Sequence, residues 1–353
     1  MINIEQKVYG MTEEGEAIIA YTMSSDNGSS VEVCNLGATI LSVNVPDRDG
    51  KIADVALGYP DYENTARDCA AVGRSIGRVA NRLAEGRMII EGKEYQLAIN
   101  NGPNHLHGGL KGFGVRIWES RVETNRVVMS LHSEDGDQGY PGAVDVEAIF
   151  DFDDEYALEV TYRAVTNQTT VVNLTNHAYF NLSGPDETSV LEHELKLCAT
   201  KVLEMNENQI PTGVELEVAG TPMDFTTFNR LGAAVETDFN NSKLFRGLDH
   251  FFVVDGWQKS ILAENAVLRD PKSGRTMTVL SSAPGLMVYT GNWLAGGSPT
   301  TKSGKPFADY QGVALECQIH PNAANTPSFP SVELKEGEQF CQKIVFKFGV
   351  EIA

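Results

Sequence analysis

Three short segments of the chain combine polar, proton-handling residues with otherwise β-type sequence. They are residues 104–109 (Asn-His-Leu-His-Gly-Gly), residues 176–182 (Asn-His-Ala-Tyr-Phe-Asn-Leu) and residues 315–318 (Leu-Glu-Cys-Gln). A histidine and a carboxylate are well suited to exchanging protons near neutral pH. The segments lie far apart in the sequence, so a shared acid–base site requires that folding bring them together.

His177 has two possible roles. Residues 171–180 around it are mainly apolar, with interleaved Asn and Thr. A histidine in such a segment can be a core residue held by hydrogen bonds. It can also be a general acid whose proton is controlled by its neighbours. The residue types leave both roles open.

Glu316 poses a similar question. A carboxylate among apolar residues is costly to bury, and burial would raise its pKa and make it a better base near neutrality. Alternatively it faces water on the polar side of a strand. Val313 and Leu315 share one face of the segment, while Ala314, Glu316 and Gln318 share the other. The alternation is compatible with either placement.

His105 and His107 are two residues apart. In an extended segment both would point to the same face, and such a pair can begin a metal site that His177 or Glu316 would complete. However, no further ligand lies nearby in sequence, and two glycines continue the segment as a turn. Hydrogen-bonded histidines are far commoner, so we expect no metal.

Another group of residues is suited to binding hydroxyls. Asn81 and Arg82 end residues 73–82, which hold three arginines in an otherwise acidic chain. Arg offers five donors, and Asn both donates and accepts, so the pair suits a polyol. For Arg74 and Arg78, pairing with surface acids is a serious alternative.

Asp249 precedes a histidine and two phenylalanines, at residues 250–252. A carboxylate can bind sugar hydroxyls, and an aromatic ring can cover the C–H face of a sugar. An ordinary turn acid before a strand is the alternative. Trp293 could add another aromatic wall or belong to the core.

Strand patterns surround these residues. Four apolar side chains of residues 156–165 share one face: Leu158, Val160, Tyr162 and Ala164. That period of two predicts a half-buried strand. Residues 87–97 and 267–277 predict hairpins, with a Glu-Gly-Lys turn in the first and Pro271 and Gly274 in the turn of the second.

Helical patterns are scarce, and residues 62–71 and 228–237 each predict only two or three turns. There is no alternation of strands with helices, no internal repeat and no linker-like segment. Residues 295–309, rich in Gly, Ser, Thr and Lys, predict a long surface loop. We therefore predict that residues 1–353 form one domain, an all-β, large antiparallel β-sandwich with a few short helices.

The composition and charge of the chain argue against several classes of binding partner. The net charge of −20 disfavours nucleic acid and anionic membrane surfaces. No apolar run approaches the roughly 18 residues of a membrane helix, and we expect no signal peptide. The five cysteines are scattered, which predicts reduced thiols and a cytoplasmic location.

Taken together, six motifs resemble those of the aldose 1-epimerases, also called galactose mutarotases, in the same order and over nearly the whole chain. The motifs are residues 77–82 (Gly-Arg-Val-Ala-Asn-Arg), 105–109 (His-Leu-His-Gly-Gly), 175–182 (Thr-Asn-His-Ala-Tyr-Phe-Asn-Leu), 247–250 (Gly-Leu-Asp-His), 289–292 (Tyr-Thr-Gly-Asn) and 315–318 (Leu-Glu-Cys-Gln). Any one motif would be weak, and their order makes the resemblance specific.

The resemblance implies a fold of the "supersandwich" type. It also implies interconversion of the α and β anomers of free aldohexoses such as galactose and glucose, without cofactor or metal. By motif position, Glu316 matches the general base and His177 the general acid. The residues that match sugar-binding positions are Asn81, Arg82, His107, Tyr179 and Asp249. We expect a monomer or a homodimer.

Met287 departs from the family pattern. It stands in residues 284–289, where relatives often have Gln, and its thioether is only a weak acceptor. We keep Met287 as a substrate-binding position, but the preferred sugar is less determined than the reaction.

Three other functions remain as alternatives. A glycoside hydrolase would pair two carboxylates, here Asp249 and Glu316, and would leave His177 without a role. A hexose-phosphate epimerase of the same fold would need a basic phosphate pocket. A non-catalytic carbohydrate-binding module could keep Asn81, Arg82 and the aromatic residues but would not need Glu316.

Overall fold

The computed structural model describes residues 2–185 and 189–351, which fold into antiparallel β-sheets with a few short helices. The strands of the first half are β1 (Ile2–Met11), β2 (Ala17–Ser25), β3 (Ser30–Cys34), β4 (Thr39–Pro46), β5 (Ile52–Asp54), β6 (Ser75–Ile76), β7 (Arg82–Leu83), β8 (Arg87–Ile90), β9 (Lys93–Gln96), β10 (His105–Leu106), β11 (Glu119–Glu123), β12 (Arg126–Ser133), β13 (Val144–Phe152) and β14 (Ala157–Thr166).

The strands of the second half are β15 (Thr170–Val171), β16 (Thr175–Asn176), β17 (Tyr179–Phe180), β18 (Glu194–Leu197), β19 (Lys201–Met205), β20 (Pro211–Glu217), β21 (Asn229–Arg230), β22 (Asp249–Val253), β23 (Ala263–Arg269), β24 (Arg275–Ser281), β25 (Gly285–Tyr289), β26 (Val313–Gln318), β27 (Glu333–Leu334) and β28 (Gln339–Val350). The α-helices are α1 (Tyr62–Ala66) and α2 (Leu231–Val235), and the 3₁₀ helices are Ala84–Gly86, Phe113–Val115, Asp137–Gly139 and Ala323–Asn325.

Two large sheets form the body of the sandwich. The nine-stranded sheet has the order β11-β12-β13-β14-β28-β24-β23-β18-β21, and the six-stranded sheet has the order β17-β26-β25-β22-β19-β20. A five-stranded sheet runs from β1 to β5 in sequence order. The remaining pairs, β6 with β16, β7 with β10, β8 with β9 and β15 with β27, are two-stranded. All the named strand pairs are antiparallel, as the sequence predicts.

The main core lies between the two large sheets. Its largest cluster of buried apolar side chains takes Leu315 and Cys317 from β26 of the six-stranded sheet, and Val160 and Phe346 from the nine-stranded sheet. Burial of such apolar surface is the dominant favourable term in folding. The other face of the six-stranded sheet is covered by a second cluster, which includes Met287 and chain segments that precede the large sheets. That covered face carries the candidate site.

The strand predictions are confirmed. Leu158, Val160, Tyr162 and Ala164 are all buried on β14. The predicted hairpins are β8 with β9 and β23 with β24, and residues 295–309 contain no strand or helix. The five cysteines are free, as expected from their spacing.

The helix predictions are correct in position but wrong in length. Helix α1 ends at Ala66, because the Asp68 carboxylate then accepts the backbone N–H of Ala70 and Val72 and turns the chain away. Residues 229–230 pair with β18 as β21, so α2 starts only at Leu231. Within residues 2–185 and 189–351, no helix is long and apolar enough to cross a membrane.

Candidate active site

The register of the six-stranded sheet brings distant polar residues onto one face. Glu316 on β26 lies opposite Met287 on β25, and Tyr289 on β25 lies opposite Asp249 on β22. At the sheet edge, Tyr179 on β17 pairs with Ala314, two residues before Glu316. Because alternate residues of a strand point to one face, these side chains lie together on the face away from the main core.

Glu316 is buried on this face, which resolves the two placements that its sequence left open. Val313 and Leu315 point into the main core, whereas only 2% of the Glu316 surface is exposed. Burial and, to a smaller extent, the nearby charge of Asp249 raise the pKa of Glu316 to about 8, although Arg82 opposes the shift. Among the described residues, Oε2 of Glu316 finds no hydrogen-bond partner.

His177 meets Glu316, with 3.5 Å between Nε2 and Oε1. Burial lowers the pKa of His177 to about 4, because the charged imidazolium is poorly solvated there. At pH 7 the proton of the pair therefore resides on Glu316, and His177 is neutral. This is the reverse of the resting distribution expected for a protonated acid and an ionised base.

The ring of His177 is held by aromatic neighbours. Its centroid lies 4.8 Å from that of Tyr179 and 6.4 Å from that of Tyr289. His107 stands edge-on to it at 5.3 Å. Within the described part of the chain, Nδ1 of His177 has no hydrogen-bond partner. Packing, backbone contacts and the approach of Nε2 to Glu316 therefore orient this imidazole.

His107 is positioned by a close approach of two segments. Its backbone is left-handed, with φ of 51°, and the backbone N–H of Asn81 donates to its Nδ1 at 3.2 Å. Gly108 follows with φ of +81°, and a Cβ there would be 1.8 Å from the carbonyl oxygen of Gly77. Glycine is therefore required for the loop to rest on residues 77–82. The neutral His107 ring carries its proton on Nε2 and can donate it to a ligand.

A metal does not fit this donor set well. His107, His177 and Glu316 place ligating atoms within 4.8 Å of one another. An ion bound at Nε2 of His107 would require the proton on Nδ1, which already accepts from Asn81. The suspected His105–His107 pair does not form either, because Nδ1 of His105 lies 2.6 Å from the Ala98 carbonyl and Nε2 lies 2.6 Å from the Tyr140 hydroxyl.

Asp249 and Arg82 form a polar wall beside the acid–base pair. Nη1 of Arg82 lies 3.8 Å from Oδ2 of Asp249, and Nε of Arg82 donates to Asn101 at 3.0 Å. Gln209 donates from Nε2 to Asp249. Burial raises the pKa of Asp249, and Arg82 partly offsets that shift. The side-chain oxygen of Asn81 accepts the backbone N–H of Arg82 at 2.7 Å, which fixes the bend between them.

The other singled-out residues divide between the site and the core. Met287 is fully buried in the second apolar cluster, directly across from Glu316. Arg74 and Arg78 are buried, so the surface pairing considered for them is wrong. Arg78 donates to carbonyl oxygens of residues 141 and 142. Trp293 is 53% exposed and is not a core residue.

Sequence reasoning gave no role to three residues of this region. Gln209 and Asn101 contact Asp249 and Arg82, but each is a loop residue without a motif. Tyr289 lies 6.0 Å from the ring of Tyr179. Tyr289 opens the motif of residues 289–292, and alternation along residues 285–289 places it on the same face as Met287, so the sequence carried a signal for it.

The fold and the site together define a β-sandwich protein with a buried carboxyl–imidazole pair beside the Arg82–Asp249 pair. The family model described as aldose 1-epimerase matches residues 20–347. Galactose mutarotase from Bos taurus is 39% identical over 99% of this chain and 100% of its own length. Aldose 1-epimerase from Escherichia coli (strain K12) is 34% identical, covering 97% of this chain and 98% of its own. The chain belongs to the aldose 1-epimerase family.

Solved structures agree with this placement. A structure of galactose 1-epimerase from Lactobacillus acidophilus NCFM superposes with a TM-score of 0.86 at 28% identity and covers both chains fully. An aldose epimerase homologue from C. elegans gives a TM-score of 0.84 at 28% identity, over 93% of this chain and 98% of its own.

Proposed function

We propose that this protein is an aldose 1-epimerase that interconverts the α and β anomers of free aldohexoses such as galactose and glucose. The observation that carries the proposal is the buried contact between His177 and Glu316, 3.5 Å apart, beside Arg82 and Asp249. An acid and a base at this separation can serve two oxygens of one sugar ring, the C1 hydroxyl and the ring oxygen.

In the proposed reaction, Glu316 is the general base and His177 the general acid. Glu316 takes the proton of the C1 hydroxyl while His177 gives a proton to the ring oxygen, and the C1–O5 bond opens to an aldehyde. Rotation about C1–C2 presents the other carbonyl face. The ring then closes as His177 takes its proton back and Glu316 returns one to O1. The atoms and protons balance without a cofactor.

The pKa shifts of the pair favour the open-ring stage of this reaction. Once the ring is open, Glu316 holds a proton and His177 is neutral, which is the distribution that burial promotes in both residues. The protein environment thus stabilises the protonation state that accompanies the open-chain aldehyde more than the one that starts the reaction. Because the resting pair at pH 7 already has this distribution, the form that starts the reaction, with Glu316 ionised and His177 protonated, is a minor tautomer that must form before the ring opens.

Sugar hydroxyls would be bound by the remaining polar groups. Arg82 and Asp249 offer donors and acceptors, Nε2–H of His107 offers a donor, and Asn81 fixes the backbone between them. The ring of Tyr179 packs against His177 and would flank the sugar. Met287 would contact the sugar through apolar surface only, since its thioether is a weak acceptor.

The rival functions are less well supported. A phosphate-binding site needs a cation whose charge is not already balanced, whereas the charge of Arg82 is paired with the Asp249 carboxylate. A hydrolase that used Asp249 and Glu316 would give His177 no role. A binding module would gain nothing from a buried Glu316, whose desolvation costs stability.

Polarimetry of freshly dissolved α-D-galactose and α-D-glucose tests the proposal. We expect a faster approach to equilibrium rotation, abolished in Glu316→Gln and reduced by about 10²-fold or more in His177→Asn. Glucose 6-phosphate and an aryl glycoside serve as comparison substrates. Full activity in Glu316→Gln would refute the assigned base, and aglycone release would favour a hydrolase. Treatment with a chelator should leave the rate unchanged.

We also propose that residues 1–353 work as one domain in the cytoplasm, as a monomer or a homodimer. Support for one domain comes from the main core cluster, which draws residues from Tyr21 to Phe348. Support for the compartment comes from the five free cysteines, which fit a reducing environment.

A further inference from the structure

The orientation of His177 depends on one neighbouring segment of backbone. The N–H of His177 donates to the carbonyl of Arg74 at 2.8 Å, and the N–H of Gly73 donates to the carbonyl of His177 at 3.0 Å. Since Nδ1 of His177 has no hydrogen-bond partner among the described residues, the imidazole is held by these two bonds, by ring packing and by the approach of Nε2 to Glu316. A shift of residues 73–74 would therefore shift the ring.

The same segment, residues 68–74, also holds the neighbours of His177. The Tyr179 hydroxyl donates to the carbonyl of Ala70 at 3.1 Å, and Nδ2 of Asn176 donates to the carbonyl of Gly73 at 3.0 Å. Tyr179 is the aromatic residue that packs against the His177 ring. Segment 68–74 thus positions the imidazole in two ways, through the backbone of His177 and through Tyr179, whose ring packs against it.

Segment 68–74 has no regular structure of its own to hold it in place. It contains two left-handed residues, Ala71 with φ of 55° and Gly73 with φ of 74°. A Cβ at Gly73 would be 2.1 Å from the carbonyl oxygen of Ile40, so the chain passes very close to β4. An irregular, partly buried segment of this kind needs side-chain hydrogen bonds to fix it.

Asp68 supplies those bonds at the start of the segment. Its carboxylate accepts four hydrogen bonds, from the Tyr59 hydroxyl at 2.7 Å, the N–H of Ala70 at 2.9 Å, the N–H of Val72 at 3.0 Å and Nε of Arg74 at 2.9 Å. Both lone pairs of each oxygen are therefore used. The segment is folded around this one carboxylate.

Arg74 fixes the C-terminal end of segment 68–74. Its guanidinium joins Asp68 to the carbonyl of Thr65 at 2.7 Å and also donates to the carbonyl of Gly114. The two side chains are only 4% and 1% exposed, so breaking the pair would leave a charge buried without its partner. No group of this pair lies among the residues assigned to proton transfer or sugar binding.

We propose that Asp68 and Arg74 are positioning residues for this reaction, whose ion pair fixes the orientation of His177 through the backbone of segment 68–74. The proposal rests on the proposed function and names the element that aligns its acid. A displacement of about 1 Å in a catalytic group can cost on the order of 10²-fold in rate. The ion pair therefore controls the rate of the chemical step more than the affinity for sugar.

Arg74→Lys is the principal test. Lysine keeps the charge, but its single ammonium cannot reproduce the planar fork that joins Asp68 to two carbonyls. We expect kcat for galactose to fall about 10-fold or more, while KM stays within about 3-fold of the original. A folded Arg74→Lys protein with unchanged kcat would overturn the proposal.

Arg275→Lys is a matched control. Arg275 is equally buried and also donates to backbone carbonyls, those of Val45, Leu182 and Lys51, but it contacts none of the site residues. We expect a similar loss of thermal stability with kcat within about 2-fold. Equal losses of kcat in the two variants would mean that Arg74 acts only through general stability. If the unsubstituted protein lacks mutarotase activity, the proposed function itself fails.

The pH profile of Asp68→Asn gives a readout that a purely structural role would not move. The charge of Asp68 raises the pKa of His177 against the lowering by burial, so its removal should move the acid limb of the profile to lower pH. The other groups that face the imidazole, namely His107, Tyr179, Tyr289 and Glu316, are unchanged. An acid limb at its original pH in an active, folded Asp68→Asn protein would contradict the proposal.

Tyr59→Phe is the variant to test if Arg74→Lys and Asp68→Asn fail to fold. It removes one of the four hydrogen bonds to Asp68 and leaves the ion pair intact. We expect a smaller loss of kcat, about 3-fold, again with KM little changed. Unchanged kcat in Tyr59→Phe would then count against the proposal.

Discussion

The proton shared by Glu316 and His177 sets the pH range of the proposed activity. Below about pH 4 both residues would be protonated, so no base remains, and above about pH 8 both would be deprotonated, so no acid remains. We expect a bell-shaped kcat/KM with limbs near these values, which belong to the pair rather than to either residue. Polarimetry across pH 3.5 to 9.5, corrected for uncatalysed mutarotation, measures it.

The control for this pH profile is His177→Asn, whose residual activity should lose the bell shape and rise with pH as Glu316 ionises near pH 8. In the unsubstituted protein, a rate that rises continuously through pH 9 would show that a neutral Glu316 is not formed in the working range. It would also remove the argument that burial favours the protonation state of the open-chain stage.

Glu316 should lower the stability of the protein, although it is the base of the proposed reaction. Its pKa is raised in the folded state to about 8 from an ordinary value near 4.5, so the folded state binds the extra proton. The free energy of unfolding contributed by this group is full below about pH 4.5 and is lost as pH rises through about 8. We therefore expect Glu316→Gln to be more stable than the original protein at pH 8 and about equal at pH 5.

Urea unfolding of both proteins at the two pH values checks this prediction. Cys317→Ser, which alters the next residue but faces the main core, serves as a control for local packing. It should show no gain of stability at pH 8. A Glu316→Gln protein that is less stable at both pH values would mean that the carboxyl group is better solvated than its burial indicates.

At the scale of elements, the turn at Gly108 fixes the position of His107. Replacing Gly108 by Ala adds a Cβ within 1.8 Å of the carbonyl oxygen of Gly77 and also imposes a left-handed backbone on alanine. We expect the free energy of unfolding to fall by more than about 1 kcal/mol and kcat/KM to fall by about 10-fold or more. Urea unfolding and polarimetry measure the two effects.

Gly92→Ala is the matched control for this substitution. Gly92 has a similar φ of +78°, but a Cβ there would meet nothing within 4 Å. We expect a cost of about 1 kcal/mol from the backbone alone, without loss of activity. If the two variants behave alike, the contact with Gly77 does not position His107.

Local patterns predicted the elements well where one face is buried. Leu158 and Val160 alternate along β14, and the turn of the β23–β24 hairpin is marked by Pro271 and Gly274. Alternation could not place Glu316, because both faces of β26 are buried and the pattern that separates core from solvent is absent. The extent of α1 was missed because it is set by Asp68, a tertiary hydrogen-bond acceptor that local pattern does not reveal.

The candidate site was predicted by residue type and motif, but its geometry was not. Nothing in the sequence indicated that Nδ1 of His107 accepts from Asn81, and it is this bond that argues against a metal. The separation of 3.5 Å between His177 and Glu316 depends on the pairing of β17 with β26, which joins residues more than a hundred positions apart. Such long-range register is a property of the whole sheet rather than of either segment.

At the scale of the whole molecule, the charge of −20 affects stability and ligand binding differently. Like charges repel across the folded surface, and added salt screens that repulsion over a Debye length that falls from about 30 Å at 0.01 M to about 8 Å at 0.15 M. Salt also weakens surface ion pairs such as Arg121 with Glu147, but each of these is worth only about 0–1 kcal/mol. The large excess of acidic residues makes relief of repulsion the larger effect.

We therefore expect the melting temperature to rise by a few degrees between 10 mM and 0.5 M sodium chloride, while kcat/KM for galactose stays within about 2-fold. A neutral sugar gives the acidic field nothing to attract or repel, whereas a sugar phosphate would be repelled at low salt, and its rate would rise as the field is screened. Scanning calorimetry and polarimetry in the same salt series measure the two quantities. A strong salt dependence of kcat/KM for galactose would contradict a site built for uncharged hydroxyls. A melting temperature that falls with salt would mean that the ion pairs, not the excess charge, dominate the electrostatics of the fold.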